Sequence, residues 1–346
     1  MPIGLDVDLG EAMRQCVRSA LSLLQGRFGL SRAVAYAYLS AAGDFAVSQV
    51  VDRVSGVHAA LRKADFVELR PPSGPPSGPP ERPPVTVLHR LDFLTTEDVA
   101  AIPKQRALVV QPIGAVEQHG PHLPCATDAL VAEGIAGRAA ALVRPGEDVW
   151  LLPPLHYGKS NEHLGRAGTI SMSAATLIAV CLDVGRSVAA SGFRKLAFVN
   201  GHGGQPGLLD MVSRDIRVET GLQVFPVNIG RLGLPPGVVV ADAAVGIHGG
   251  QLETSVVLAL DEKSVKLDRM GPDGLAGMAQ FDRLTYLTLE GPVPTAWVTD
   301  DMSVGGVVGD PTGSSVELGA TVVAHWAREL ALAFGEICDF EFAPLS

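Results

Sequence analysis

The chain has 346 residues, of which 47% are hydrophobic and 18% are charged, and its formal net charge is −10. This length allows one large domain and a smaller one, and the acidic balance gives no electrostatic footprint for nucleic acid. No uninterrupted apolar stretch approaches the roughly 18 residues that span a bilayer. Asp6, Asp8 and Glu11 stand where a secretory signal carries basic residues. We therefore expect a cytoplasmic protein without a membrane or nucleic-acid partner.

The N-terminal segment, residues 1–70, begins with a predicted helix. Apolar residues in 13–24 repeat at helical spacing, and Gly26 and Gly29 are expected to close the helix. A second helix is predicted over 31–42, with Ser31 as its N-cap. Two strand-like runs follow, FAVSQVV and GVHAAL. The pattern predicts a small α+β segment.

This segment resembles the closing part of the acetamidase/formamidase family within residues 1–68. The resemblance rests on GLSR at 29–32, YAYLS at 36–40, GD at 43–44 and SQVVD at 48–52. It covers only a C-terminal fragment of that family's chain, so it implies no catalytic residue here. A packing or assembly module is the interpretation we adopt.

A proline-rich stretch, PPSGPPSGPPERPP at 71–84, follows the N-terminal segment. Proline lacks a backbone donor and fixes φ, so this stretch cannot form a helix or a central strand. We predict an extended, semi-rigid linker between the segment 1–70 and a body at 85–346. A binding site for a proline-recognising module is the alternative.

The body alternates predicted strands and helices. Its strands are continuous apolar runs, which is typical of a mainly parallel sheet covered by helices on both faces. Ligand sites in such folds lie at the carboxyl ends of the strands. The predicted strands are 107–113, 149–155, 195–200 and 222–228, and the predicted helices are 127–143, 173–190, 206–220 and 314–337.

Chemistry-bearing side chains follow the first of these strands directly. Glu117 and His119 are two residues apart, so they point to the same side of an extended segment. A carboxylate beside an imidazole can begin a site for Zn²⁺ or Mn²⁺. Asp128 follows at the start of the next helix, where a carboxylate is also a common helix cap. The four cysteines form no CxxC pair, which argues against a cysteine-based zinc site.

Two further glycine-rich motifs carry histidines. NGHGG at 200–204 follows the third strand, and GIHGGQLETS at 246–255 precedes an apolar segment. Glycines allow a backbone to approach a ligand closely. Four of the nine histidines lie in glycine-containing segments, either in these two motifs or in the loop after the first strand. Packing alone does not explain this arrangement. The four are His119, His122, His202 and His248.

At residues 85–340 the body resembles the creatininase family. The family's G-x-x-E-Q-H-G-P-H-L-P…T-D, N-G-H-G-G and H-x-G-x-x-E-T-S elements stand here in that order, together with YGKSNEH at 157–163 and GVVGDP at 306–311. The resemblance implies a three-layer α/β/α domain, a homo-oligomer that is commonly a hexamer, and two divalent metal ions per subunit, zinc and/or manganese.

The same resemblance implies residue roles. Glu117 and His202 would hold one metal, His119 the other, and Asp128 would bridge them. Glu253 would complete the set, because creatininase itself has a glutamate two positions after the histidine of N-G-H, where this chain has Gly204. The implied proton shuttle is His248.

The remaining candidates belong to a substrate pocket. Arg166 departs from the family pattern, and it would either pair with a substrate carboxylate or phosphate or be a solvated surface charge. The full set of pocket candidates is His122, Ser160, Glu162, His163, Arg166, Gly203 and Gly204.

The motifs and the resemblance to the creatininase family together imply a dinuclear-metal amidohydrolase that cleaves a non-peptide C–N bond of a small cyclic amide or formamide. Metal-activated water would be the nucleophile. One alternative is a metal-dependent peptidase acting on a short peptide. The other is a non-catalytic binding or assembly protein with a structural metal, which the carboxylate-rich ligand set disfavours.

Overall fold

A computed structural model describes residues 3–6, 8–28, 30–42, 44–49, 55–61, 89–289 and 293–343. The chain divides into two compact units, Met1–Pro83 and Pro84–Ser346. The predicted linker at 71–84 lies outside the described residues, so the division into segment, linker and body stays a prediction. None of the described helices is both long enough and apolar enough to cross a membrane.

The first unit is a small α+β structure. It comprises β1 (Ile3–Asp6), α1 (Leu9–Phe28), α2 (Arg32–Ala42), β2 (Asp44–Gln49) and β3 (Ser55–Ala60), and its antiparallel sheet has the order β1-β3-β2.

Of the two glycines expected to close α1, Gly26 does not end it, because the helix runs through this glycine and ends at Phe28. Leu21 and Leu24 on the same helix are buried in the unit's core, and such packing offsets the roughly 1 kcal/mol that a glycine costs inside a helix. Ser31 lies before α2 as predicted, and its hydroxyl accepts the N–H of Val34 at 3.3 Å.

The second unit is built on a four-stranded parallel sheet of order β5-β4-β6-β7. The strands are β4 (Leu108–Ile113), β5 (Val149–Leu151), β6 (Lys195–Asn200) and β7 (Gln223–Asn228). The ends of three strands are level, because Ile113 pairs with Asn200 and Asn200 pairs with Asn228. The loops that leave these strands therefore meet at one edge. Strand β5 ends before its predicted bound at 155, since Pro153 and Pro154 cannot donate to the ladder.

Helices cover both faces of this sheet, which confirms the predicted three-layer α/β/α architecture. Leu108 and Val110 of β4 pack on one side with α4 (Thr127–Ala140), α7 (Gln251–Asp261) and α10 (Val316–Asp339). Val109 and Ile113 pack on the other side with α5 (Ala174–Ala190) and α6 (Pro206–Thr220). The alternation follows from the two-residue period of a strand.

The predicted bounds of four helices agree with the observed ones to within about three residues. Helix α7 is not among the predicted helices, since its first turn was interpreted only as a ligand motif. The remaining elements are short: α3 (Thr96–Ala101), α8 (Leu275–Ala279), β8 (Leu287–Thr288), β9 (Val293–Pro294) and α9 (Thr299–Met302).

Candidate metal centre

The predicted ligands come together at the carboxyl edge of the sheet. Glu117 and His119 lie in the loop after β4, and His202 lies in the loop after β6. Asp128 and Glu253 stand in the first turns of α4 and α7. All except Glu253 are at least 97% buried, so the site lies below the surface.

Two glycines allow the loops to approach α4 this closely. A Cβ at Gly114 would collide with the backbone of Ala129, and a Cβ at Gly201 would collide with the carbonyl oxygen of Asp128. Both collisions are with backbone atoms of one helical turn, which cannot rotate away. Only glycine therefore fits where the exits of β4 and β6 touch the turn that carries Asp128.

Asp128 lies between two groups of potential ligands. Its Oδ1 is 3.3 Å from His119 Nε2, and its Oδ2 is 3.0 Å from His202 Nδ1. One group joins Asp128 with Glu117 and His202, and the other joins it with His119 and Glu253; within each group the ligand atoms lie within 4.8 Å of one another. The two groups share only Asp128.

Backbone carbonyls fix which histidine nitrogens face the carboxylates. Nδ1–H of His119 donates to the carbonyl of Glu117 at 3.1 Å, which leaves Nε2 with its lone pair towards Asp128 and Glu253. Nε2–H of His202 donates to the carbonyl of Lys159 at 3.0 Å, which leaves Nδ1 towards Glu117 and Asp128. Metal-bound histidines are oriented in this way.

Three buried atoms of the cluster lack a hydrogen-bond partner within the described part of the chain. They are Glu117 Oε2, His119 Nε2 and Asp128 Oδ2. An unpaired polar atom in a protein interior is costly. Cations bound to the two ligand groups would satisfy all three, and carboxylate and imidazole are the donors that Zn²⁺ and Mn²⁺ take. The side chains present therefore fit a metal.

The electrostatics of the cluster also favour positive charge. Burial opposes the protonated form of His119, but the carboxylates of Glu253 and Asp128 outweigh it and raise the pKa of His119 well above 6.5. Glu117 and Asp128 do the same for the pKa of His202. Burial likewise opposes the charged form of Asp128, and the two histidines lower its pKa despite that. Protons supply the positive charge when no metal is bound.

His248 stands beside this cluster. Its ring is 4.3 Å from that of His119 and stacks on that of His163 at 4.4 Å. Its Nε2–H donates to the carbonyl of Gln118 at 2.7 Å, so Nδ1 faces Glu117 Oε1 at 3.8 Å. Burial and the neighbouring His119 lower the pKa of His248 to about 3. A neutral imidazole with a lone pair aimed at the site can accept a proton or a metal.

Four of the seven pocket candidates line a cavity of about 350 Å³ at the cluster: Glu162, His163, Gly203 and Gly204. Trp297 also lines it and meets the ring of His163 edge-on at 6.0 Å. The carboxylate of Glu162 is 3.5 Å from His202 Nε2, and a Cβ at Gly204 would collide with Glu162 Oε1. Glu162 thus fills the space that a side chain at position 204 would take.

The other three candidates do not line this cavity, although the hydroxyl of Ser160 is 3.4 Å from His202 Nε2. His122 is fully buried, with Nε2 2.8 Å from the hydroxyl of Thr254, and Ser160 is fully buried too. Arg166 donates to Asp300 Oδ1 at 2.6 and 3.0 Å and to the carbonyl of Val304 at 2.6 Å. Its guanidinium therefore fastens the loop at 300–304, and the two roles expected for it stay predictions.

Asp242 is a residue that the sequence analysis missed. It is buried, and its Oδ2 accepts the backbone N–H groups of Gln251 at 3.0 Å and Asp310 at 2.9 Å. A Cβ at Gly246 or Gly250 would collide with this carboxylate. Asp242 thus fixes the loop that carries His248 and the start of α7. The only sign of this role in the sequence is that an acidic residue stands shortly before the glycine-rich motif that contains His248.

Gln118 is the other missed residue, although it stands between two predicted ligands. Its side-chain N–H₂ donates to the carbonyl of Gly306 at 3.0 Å and lies 3.0 Å from His163 Nδ1. Its Oε1 accepts the N–H of Gly120 at 3.0 Å. The side chain therefore ties the loop after β4 to the loop at 306.

Comparison with known proteins assigns the family. A family model described as "Creatininase: Creatinine amidohydrolase" matches residues 92–334, which is more than half of the chain. The chain belongs to the creatininase family. Membership confirms the predicted family and implies a metal-dependent hydrolase. The match begins after the N-terminal unit, so the resemblance of that unit to acetamidase/formamidase stays a prediction.

Relatives within the creatininase family carry different activity names. The chain is 35% identical over 239 residues to the "Mycofactocin precursor peptide peptidase" of Mycobacterium ulcerans, covering 67% of this chain and 86% of that protein. It is 34% identical over 213 residues to the "Creatinine amidohydrolase" of Pseudomonas putida, covering 54% and 77%.

Solved creatininase structures share the fold. A putative creatinine amidohydrolase from Bacteroides fragilis superposes with a TM-score of 0.58 at 26% identity, covering 74% of this chain and 98% of that one. A structure named "Creatininase Mn" superposes with a TM-score of 0.57 at 25% identity, covering 72% and 98%. A creatininase variant described as "Zn-Zn type" gives a TM-score of 0.58 at 25% identity with the same coverage.

Proposed function

We propose that the chain hydrolyses an amide C–N bond with two divalent metal ions, zinc and/or manganese. The observation that carries the proposal is the position of Asp128, whose two carboxylate oxygens face two different ligand groups. Glu117 and His202 would hold one ion, His119 and Glu253 the other, and Asp128 would bridge them. The family and the metals named for the solved relatives support the choice of ions.

A pair of such ions would lower the pKa of a bound water and polarise the amide carbonyl. The chain's own part is to orient and to move protons. The carbonyls of Glu117 and Lys159 hold the ligand histidines in the required tautomers. Nδ1 of His248 faces the site and can take a proton and pass it to the departing nitrogen. The carbonyl of Gln118 keeps that ring in place.

The substrate we propose first is a small amide, either cyclic, as the family description suggests, or formamide-like. Trp297 in the smaller cavity offers a flat apolar surface to such a molecule. The second candidate is a short peptide, and two observations favour it. Several relatives are named as peptidases of a precursor peptide, and a second cavity of about 890 Å³ adjoins the ligands.

A purely structural metal is the weakest interpretation. Glu253 of the ligand set is 29% exposed, and the ligands line two open cavities, whereas closed structural sites leave no open position. The homo-oligomeric state implied by the family stays a prediction, as does the cytoplasmic location.

A substrate panel with and without chelator tests the proposal. Creatinine, N-formyl amino acids and short peptides are incubated with protein loaded with Zn²⁺ or Mn²⁺, and the released amine is quantified. We expect at least one class to be hydrolysed, the activity to disappear on chelation, and either metal to restore it. Activity that survives complete removal of metal would contradict the proposal.

A further inference from the structure

The ligand cluster lies at the junction of two cavities. The smaller cavity has a volume of about 350 Å³ and the larger one about 890 Å³. Residues shared by both cavities include ligands and their neighbours: His202, Gly203, Gly204, Ile247, His248 and Glu253. A substrate held at the cluster can therefore extend in two directions.

Glycines form part of the lining of the larger cavity. A Cβ built at Gly203, Gly207 or Gly230 would meet nothing within 4 Å, and all three residues line the cavity. Ligand pockets for drug-sized molecules have volumes of roughly 300–1,000 Å³. The larger cavity, at about 890 Å³, lies near the upper end of that range. A single small ring would fill only part of it.

Arg231 gives this cavity its charge. It lies in the turn after β7, at the carboxyl edge of the sheet, and it is exposed. Among the described residues that line the cavity it is the only arginine or lysine, and the only carboxylate is Glu253, which belongs to the ligand cluster. Within the described ranges, its guanidinium makes no ion pair or side-chain hydrogen bond.

The lysine in the smaller cavity differs in this respect. Lys159 Nζ lies 3.5 Å from Glu162 Oε2, so its charge already has a partner. A planar guanidinium with all its donors available matches a carboxylate in a bidentate fashion. Arg231 is therefore the cation in the two cavities that can receive an anionic group from a substrate.

We propose that the larger cavity binds an elongated, carboxylate-bearing part of the amide substrate and that Arg231 binds its carboxylate. This inference rests on the proposed hydrolytic function of the same site. Of the two candidate substrates it favours the second, a peptide-like amide with a free carboxylate, over the small amide, and it makes Arg231 a specificity-determining residue outside the metal cluster.

A binding experiment tests this inference without requiring turnover. N-acetyl-trialanine and its C-terminal carboxamide are titrated by calorimetry into the metal-loaded full-length protein. We expect the free carboxylate to bind at least 10-fold more tightly than the carboxamide. Arg231→Gln should remove this difference, and Arg231→Lys should restore part of it. Arg214→Gln is the matched control, since Arg214 is exposed on α6 and pairs with Asp210.

Equal binding of the two compounds, no binding of either, or a preference that survives Arg231→Gln would each overturn the inference. None of these results affects the proposed function, which metal content and chelator-sensitive hydrolysis of the amide panel decide separately.

A steric variant adds an independent readout. A Cβ at Gly230 meets nothing within 4 Å, and Gly230 lines the larger cavity. We expect the leucine side chain of Gly230→Leu to occupy space in this cavity. It should therefore weaken binding of N-acetyl-trialanine several-fold without lowering the metal content.

Discussion

At the residue scale, the cluster around Asp128 needs positive charge, and protons and metal compete to supply it. Burial opposes the charged His119 and His202, but the facing carboxylates outweigh it and raise both pKa values well above 6.5. A metal must displace these protons to reach the nitrogen lone pairs. Metal binding should therefore release protons and should tighten as the pH rises.

The same pKa shifts predict the pH dependence of the metal-free protein. A histidine with a raised pKa stabilises the folded state fully below its unfolded pKa of about 6.5, and this stabilisation is lost as pH rises through the folded pKa. Chelator-treated protein should thus unfold at lower urea concentration at pH 9 than at pH 6. Metal-loaded protein should keep its stability between pH 6 and pH 9. A metal-free protein that becomes more stable at pH 9 would contradict the raised pKa values of His119 and His202.

His248→Ala should lower kcat more than it lowers metal content. Removing a general acid costs typically about 10²–10⁴-fold in rate, while the two groups that share Asp128 stay intact. Steady-state kinetics and elemental analysis of the same preparation separate the effects. His156→Ala is a suitable control, because His156 is half exposed and pairs with Glu133 at 3.7 Å. Loss of a full metal equivalent from the His248 variant would instead make His248 a ligand.

Asp242→Ala should destabilise the loop that carries His248 and Glu253. Two buried N–H groups would lose a charged acceptor, at a cost of about 2–4 kcal/mol in the free energy of unfolding. Asp242→Asn keeps one side-chain oxygen as an acceptor, so its free energy of unfolding should fall by less. Urea denaturation and zinc titration measure both effects, with exposed Asp261→Ala as the control. A wild-type zinc affinity in Asp242→Ala would remove Asp242 from the positioning role.

At the element scale, the strands and helices that the sequence predicts are those with continuous buried runs. Strands β4 and β6 are buried over their whole length, so their apolar runs identify them. Helix α7 was missed because its first turn is occupied by a glycine and ligand motif. The passage of α1 through Gly26 was missed because local propensity is overridden by packing of the same helix.

The end of α10 is held by a lysine that also begins β6. Lys195 is fully buried, and its Nζ donates to the carbonyls of Ile337, Cys338 and Phe340 at 2.7–2.9 Å. A cation is favourable at a helix C-terminus, and here it joins the sheet to the outer layer. The run KLAFVN gave no indication of this contact, because its partners lie more than a hundred residues later in the sequence.

Lys195→Met should lower the free energy of unfolding by about 2–4 kcal/mol, because three carbonyls would lose a charged donor. Since Lys195 stands at the start of β6, far along the strand from His202, metal content should stay at the wild-type value. Urea denaturation and elemental analysis check both parts, with exposed Lys263→Met as the control. If the Lys195→Met protein lost metal while keeping wild-type stability, the structural role given to Lys195 would be wrong.

At the scale of the whole molecule, the site exists because parallel strands end level. Asn200 pairs with Ile113 on one side and Asn228 on the other, so loops far apart in sequence meet around Asp128. The motifs and their order in the sequence predict which five residues are the candidate metal ligands. It could not predict the histidine nitrogen atoms that face the carboxylates, the role of Asp242, or the carboxylate of Glu162 beside Gly204, since all of these depend on contacts between distant loops.

The most direct test of the dinuclear centre is the metal content of the purified protein, compared between wild type and Asp128→Ala. We predict close to two zinc or manganese ions per wild-type chain. We also predict a loss of at least one ion in the variant, because Asp128 belongs to both ligand groups. A wild-type protein that stays metal-free after incubation with Zn²⁺ and Mn²⁺, or a variant that retains both ions, would contradict the dinuclear assignment.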